Sequence, residues 1–251
     1  MGKIVSFATQ KGGSGKSTLT LVLATSLAVD YNLKIAVLDC DYQQSIVKTR
    51  LHMDAENLEQ LKESDPDASY PYDIFPMAMT KIFDFIDDPE NSNKYDLIIL
   101  DLPGRADANE IFDALTACDV VFVPLVSDYL DRASTADFMG ILHSIKAVAD
   151  KEGIDFSYYG LSTKRTNRRE DKEMDEYIEQ IGLSRLNSSL GLRAAYSRPS
   201  TLFSLQNPAF LRYAGGDKAV SDEIKSLCEE IIQKLDLPVT DLTTIKDATA
   251  E

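Results

Sequence analysis

Residues 3–27 tie a strand to a helix through a loop that few folds accommodate. They run "KIVSFATQKGGSGKSTLTLVLATSL" from Lys3 to Leu27, a short apolar β-rich run, a glycine-rich turn and a helical pattern opening at Lys16. A turn of this kind binds phosphate only when a strand delivers it to a helix N-terminus, where backbone N–H groups and the positive dipole end converge. The common spacing is a glycine, four residues, then Gly-Lys-Ser/Thr. Gly15, Lys16 and Ser17 fit it, but Gln10 stands at the first glycine and a second lysine, Lys11, follows. Gly12, Gly13 and Gly15 let the backbone approach β- and γ-phosphates, Lys16 neutralises them, and Ser17 is a magnesium ligand.

The remaining chain repeats the theme. Short apolar runs without alternation, "KIAVLDCD", "YDLIILDLP", "DVVFVPLV" and "FSYYGLS", are separated by helical patterns. Strands buried on both faces and alternating with helices predict an α/β fold, a doubly wound, mostly parallel sheet with helices on both faces. Ligands of such sheets bind at the carboxyl ends of the strands, where the loops at 9–17, 39–45, 101–105 and 124–132 fall. Residues 64–73 are turn-rich and predict a surface excursion. An amphipathic last helix is expected over 219–235 with its start at Ser221 or Asp222. At 251 residues the chain suits one large domain, taken as 1–237, with 238–251 as a disordered tail. The three cysteines lie far apart without a C-x-x-C pair, which favours a reducing cytoplasm over a disulfide or metal framework. No apolar run approaches the roughly 18 residues of a membrane helix.

The loop chemistry needs an acidic residue at a neighbouring strand tip to hold magnesium from the other side. Asp101 ends "YDLIILD" and precedes Pro103-Gly104, a turn able to sense a γ-phosphate. Asp39 and Asp41 offer two more carboxylates, for the attacking water or a magnesium-bound water. A net charge of −15 would repel a polyanion, yet Lys164–Arg212 carries nine Lys/Arg against six Asp/Glu. Arg165, Arg168, Arg169, Arg193 and Arg198 are the candidates there for contact with DNA phosphates. A solvated helix face laced with ion pairs is the competing reading of "RREDKEMDEYIEQ".

Together these pieces resemble the deviant Walker A ATPases of the ParA/MinD family, on the partition (ParA) branch. Lys11-Gly12-Gly13-Ser14-Gly15-Lys16-Ser17-Thr18 resembles their first box, Asp39-Cys40-Asp41-Tyr42-Gln43 their second, and "YDLIILDLP" their Walker B strand. "STKRTNRRE" is similar to the Arg-Thr-Asn segment of that branch, and "VPLVSDYLDRAST" to its strand that ends in a proline and enters a helix.

The resemblance covers roughly residues 3–212 and implies a P-loop NTPase that uses ATP and Mg²⁺. It implies that Lys11 reaches the phosphates of a partner's ATP in a sandwich homodimer, and that Gly12 lies where two backbones meet. It further implies Thr18 at the α-phosphate region, Asp41 on the attacking water, Ser17 on magnesium, and Asp101 on magnesium through water. Hydrolysis is expected to be slow without a partner protein, ParB-like or from a transfer machinery. The dimer is expected to bind DNA without sequence preference, to associate with the nucleoid when ATP-bound, and to serve DNA partition, positioning or transfer. Tyr42 replaces the family's usual proline, and Gly104-Arg105 its usual Pro-Ser.

Other classes are less well served. A MinD-like membrane switch needs a basic amphipathic C-terminus, and this tail ends "DATAE". A synthetase that activates a carboxylate needs a second substrate pocket, and an iron–sulfur carrier needs paired cysteines.

Overall fold

The computed structural model describes residues 2–104, 106–127, 131–166 and 168–239. The chain begins with β1 (Lys3–Phe7), α1 (Lys16–Tyr31) and β2 (Ile35–Asp39). A helical run opens with α2 (Ser45–Thr49), widens into a π-helical turn at Arg50–Asp54 and continues as α3 (Ala55–Ser64). Then come β3 (Asp73–Pro76), α4 (Ile82–Ile86), α5 (Pro89–Ser92) and β4 (Leu97–Asp101). The second half holds α6 (Ala108–Thr116), β5 (Val120–Val126), α7 (Asp131–Glu152), β6 (Ser157–Arg165) and α8 (Arg169–Gln180). It closes with β7 (Arg185–Gly191), α9 (Pro208–Tyr213) and α10 (Lys218–Leu235).

The seven strands form one sheet in the order β3-β2-β4-β1-β5-β6-β7, and every pair is parallel. The pleat divides the core. Val5, Phe7, Val37, Ile99 and Phe122 face α1 and α10, while Ile4, Leu38, Ile98, Leu100 and Val123 face the layer of α4, α6, α7 and α8. Alternate residues of one strand thus serve opposite layers, which is why these strands are apolar throughout.

Several local expectations are revised. The last helix starts at Lys218 rather than Ser221 or Asp222, because Asp217 caps it, accepting from the Val220 N–H. β5 runs through Pro124 to Val126 instead of ending there. Pairing with β1 stops at Phe7–Phe122, so the proline, which lacks an N–H, sits where β5 has lost that neighbour. Tyr72, inside the predicted surface excursion, is buried and exchanges a 3.2 Å hydrogen bond with Thr25 Oγ1. Val239 packs partly against the core, and residues 240–251 of the expected tail lie outside the described residues. No helix among the described residues is long and apolar enough to cross a membrane.

The edge strand β7 is covered by glutamates of α10. Glu230 accepts from the Asn187 and Ser188 N–H groups at 2.8 Å each, and Glu223 from that of Gly191 at 3.0 Å. The unpaired backbone of an edge is a template for association with another strand, and these carboxylates satisfy three of its N–H groups within the chain.

Candidate nucleotide site

The loop between β1 and α1 lies at the carboxyl end of the sheet, between β4 and β5. Gly13 (φ 74°) and Gly15 (φ 94°) hold the left-handed conformation that residues with a Cβ adopt at a cost, and Gly15 caps α1. Lys16 opens the helix and is 8% exposed. Burial lowers its pKa, and the charges of Asp101 and Asp41 oppose that shift. Ser14 is buried, and its Oγ has no hydrogen-bond partner.

On the facing strand tips, β2 and β4 are in register at Asp39 and Asp101, which sets two buried carboxylates side by side. Ser17 Oγ donates to Asp101 Oδ2 at 2.7 Å. Burial pushes the Asp101 pKa up to about 7 against the Ser17 hydrogen bond, and Asp39 is raised by burial as well. Asp39 Oδ2 accepts from the Val47 N–H at 3.1 Å and so holds the start of the 45–64 helical run. Asp39 Oδ1 and Asp101 Oδ1 are buried without a hydrogen-bond partner. A hydroxyl and two under-satisfied carboxylates are the hard oxygen donors that suit magnesium, which takes a few protein oxygens and completes its shell with water and phosphate.

Asp41 begins a tight turn. Its Oδ1 accepts from the Gln43 N–H at 2.8 Å, its carbonyl from the Gln44 N–H at 2.8 Å, and Gln44 has φ 48°. Tyr42, at the usual proline, is 80% exposed. Of the Gly104-Arg105 pair, Arg105 lies outside the described residues. A Cβ at Gly104 would stand 3.0 Å from Lys16 Nζ and 3.4 Å from Gly12 Cα, so this turn rests directly on the loop. Lys11 donates its N–H to Thr9 Oγ1 at 3.4 Å. A Cβ at Gly12 would meet nothing within 4 Å among the described residues.

Two cavities flank the loop. One of about 390 Å³ lies between Gly13–Thr18 and the ends of β6 and β7, with Leu192 and Tyr196 on its far side. Tyr196 donates to Glu223 at 2.8 Å, and the same carboxylate binds Arg193 at 2.8 Å. Sequence reasoning missed this wall, because only the tertiary fold brings 190–197 to the loop. The other cavity, about 280 Å³, runs from Lys16 to apolar walls at Leu102, Ile111, Phe138 and Ile141.

The five candidate arginines fall into two groups on neighbouring strand ends, joined where the Leu192 N–H meets the Arg165 carbonyl at 2.9 Å. Arg165 is held by both oxygens of Asp175 at 2.8 and 2.9 Å, and Arg169 by Glu173 at 2.8 Å. Arg193 is paired with Glu223, and Arg198 donates to the Tyr213 carbonyl at 3.2 Å. Arg168 is exposed at the start of α8, where Asp171 accepts its N–H at 3.2 Å and that of Thr166 at 2.8 Å. Asn167 of the Arg-Thr-Asn segment lies outside the described residues.

This loop, with two strand-tip carboxylates on a parallel sheet, defines a P-loop nucleotide-binding protein. The sequence model of the CobQ/CobB/MinD/ParA nucleotide binding domain matches residues 5–199, and the chain belongs to that family. No relative among curated protein sequences matches it. Among solved structures it is similar to a plasmid partition protein of Borrelia burgdorferi B31 bound to AMPPNP. The two share 22% identity over 93% of this chain and 100% of that one, with a TM-score of 0.62. A Cyanothece McdA variant in complex with ATP is 15% identical over 89% of this chain and 96% of its own, with a TM-score of 0.63. MinD in the MinC:MinD cell division complex of Aquifex aeolicus is 15% identical over 95% and 98%, with a TM-score of 0.65. At these identities the likeness concerns the fold.

Proposed function

We propose that the chain is an ATP-driven switch of the ParA type, which dimerises around Mg·ATP, hydrolyses it slowly and binds DNA without sequence preference while dimeric. Phosphates would lie along Gly12–Thr18 against Lys16, and the cavity bounded by Leu192 and Tyr196 would take the nucleoside. Ser17, with Asp101 and Asp41 through water, would hold Mg²⁺, which when bound would neutralise charge on the phosphate oxygens. Asp41 orients the attacking water, and Lys11 completes the site of the opposite subunit.

The observation that carries this reading is the Lys11-Gly12 pair. Nothing described within the chain demands a glycine at 12, since a Cβ there would enter open space. A second backbone approaching that point would supply the demand. The AMPPNP-bound partition protein and the ATP-bound McdA support ATP as the nucleotide.

For DNA, doubling a weak basic surface by dimerisation raises affinity through phosphate neutralisation. The ion pairs on Arg165, Arg169 and Arg193 make that surface weak in one subunit. Partition, positioning or transfer of DNA is the service such a switch performs, with a ParB-like or transfer-machinery protein timing hydrolysis.

The test measures dimerisation and binding to nonspecific duplex DNA with ADP, ATP and AMPPNP, at low and moderate salt, on wild type and Lys11→Ala. Binding only with ATP or AMPPNP, weakened by salt and lost in the variant, is expected. ATP-driven dimers without DNA binding in any state would remove the DNA role. A synthetase reading is favoured only by the apolar-walled cavity at Lys16, and predicts ATP turnover that depends on a small carboxylate and is indifferent to DNA.

A further inference from the structure

The phosphate loop is held by a lysine from outside the loop motif. At the end of β6, Lys164 takes a left-handed backbone conformation, φ 53°, uncommon for a residue with a Cβ. From that position its Nζ donates a 2.9 Å hydrogen bond to the carbonyl of Gly13, 151 residues earlier in the chain. The pairing of β6 with β7 is irregular here too, with register shifts between Gly160 and Arg165. The strand is thus deformed where it delivers an ammonium to the loop.

We propose that Lys164 is a positioning residue that sets the loop in its phosphate-binding shape before nucleotide arrives. In a trans peptide the carbonyl of Gly13 and the N–H of Ser14 point in opposite directions from one plane. Gly13 is at φ 74°, where a glycine peptide turns easily in either direction. A charge-assisted bond to its carbonyl removes that freedom and aims the Ser14 N–H toward the phosphates. Lys164 lines the same cavity as Gly13, Gly15 and Thr18, so it borders the place where nucleotide enters. Its effect falls within one subunit and does not distinguish ATP from ADP. Lys11, by contrast, is expected to act across the dimer and on ATP.

This inference rests on the nucleotide-switch reading, and the experiment separates the two. Binding of N-methylanthraniloyl-ADP and N-methylanthraniloyl-ATP is measured by fluorescence on wild type, Lys164→Met and Lys164→Arg, beside the nucleotide-free unfolding midpoint of each. Lys164→Met is expected to weaken both nucleotides about equally, by roughly tenfold, the scale of one charged hydrogen bond. Its unfolding midpoint stays at the wild-type value, and Lys164→Arg recovers most of the affinity. Wild-type affinity in Lys164→Met overturns the inference and leaves the switch intact. Equal weakening in both variants with a lowered midpoint also overturns it, since Lys164 would then act through stability alone. Failure of wild type to bind either nucleotide overturns both readings.

Discussion

Ser17 and Asp101, 84 residues apart in sequence, are joined by a 2.7 Å hydrogen bond from the first turn of α1 to the tip of β4. The bond uses one carboxylate oxygen and leaves the other, Oδ1, buried and unpartnered. Asp101→Asn keeps the shape and loses the anionic oxygen. Mg²⁺-dependent ATP turnover is expected to fall on the order of 10–100-fold, as when a group that supports a metal is removed. Nucleotide binding in EDTA is expected to be unchanged. Equal losses with and without metal would show that Asp101 shapes the loop rather than holding magnesium.

Gly104 rests on Lys16 and Gly12 so closely that the smallest side chain touches both. In Gly104→Ala the methyl carbon would stand 3.0 Å from Lys16 Nζ, the far end of a flexible side chain that moves by a few tenths of an ångström. Folding stability should change by less than about 0.5 kcal/mol, as for substitutions without a destabilising mechanism. ATP affinity should drop severalfold, because the displaced amine is the one proposed to bind phosphate. An unchanged affinity would mean that the 102–104 turn moves away when nucleotide binds.

Asp54 ends the π-helical turn and is 2% exposed. It accepts from Ser200 Oγ at 2.8 Å, Thr201 Oγ1 at 2.8 Å and the Thr201 N–H at 2.6 Å. The helical run that starts just after Asp41 is thereby tied to the 198–205 loop. Asp54→Ala leaves three buried donors without an acceptor, at about 2–4 kcal/mol. The thermal midpoint should fall by about 5–12 °C. A drop below 2 °C would mean that the two segments are held by packing instead.

What the sequence revealed and what it hid follow from how local each constraint is. β1, β2, β4 and β5 were legible because both faces are buried and the runs are apolar without a break. β3 and β7 were not, since they are the edges. "RLNSSLG" buries only Leu186 and Leu190, and three of its N–H groups are bonded to glutamates of α10. The phosphate loop and strand-tip acids were legible because phosphate chemistry fixes residue types at short spacing. Lys164 and the Leu192–Tyr196 wall carry no such spacing and reach the loop only through the fold. The arginines were visible as charge, but the partner of Arg193 lies on a helix thirty residues on.

Asp30, near the end of α1, gives the fold a pH dependence of readable sign. Burial raises its pKa to about 6, while hydrogen bonds from Ser204 and Gln206 work against the shift. The folded state therefore keeps this proton up to about pH 6, whereas the unfolded chain releases it near 3.8. Between those values the folded state binds more protons, so the contribution of Asp30 is full below pH 3.8 and is lost as pH rises through 6. The gap converts to about 3 kcal/mol, and partial exposure of the side chain reduces it to about 1–2 kcal/mol. Asp30→Asn keeps an oxygen that accepts from both partners and removes the titration. Denaturant unfolding at pH 4.5 and 7.5 should show the variant gaining about 1 kcal/mol on wild type between the two conditions, since at pH 4.5 the unfolded chain has already released most of this proton. Parallel stability curves would mean that Asp30 stays ionised in the folded protein across this range, with its two hydrogen bonds outweighing burial.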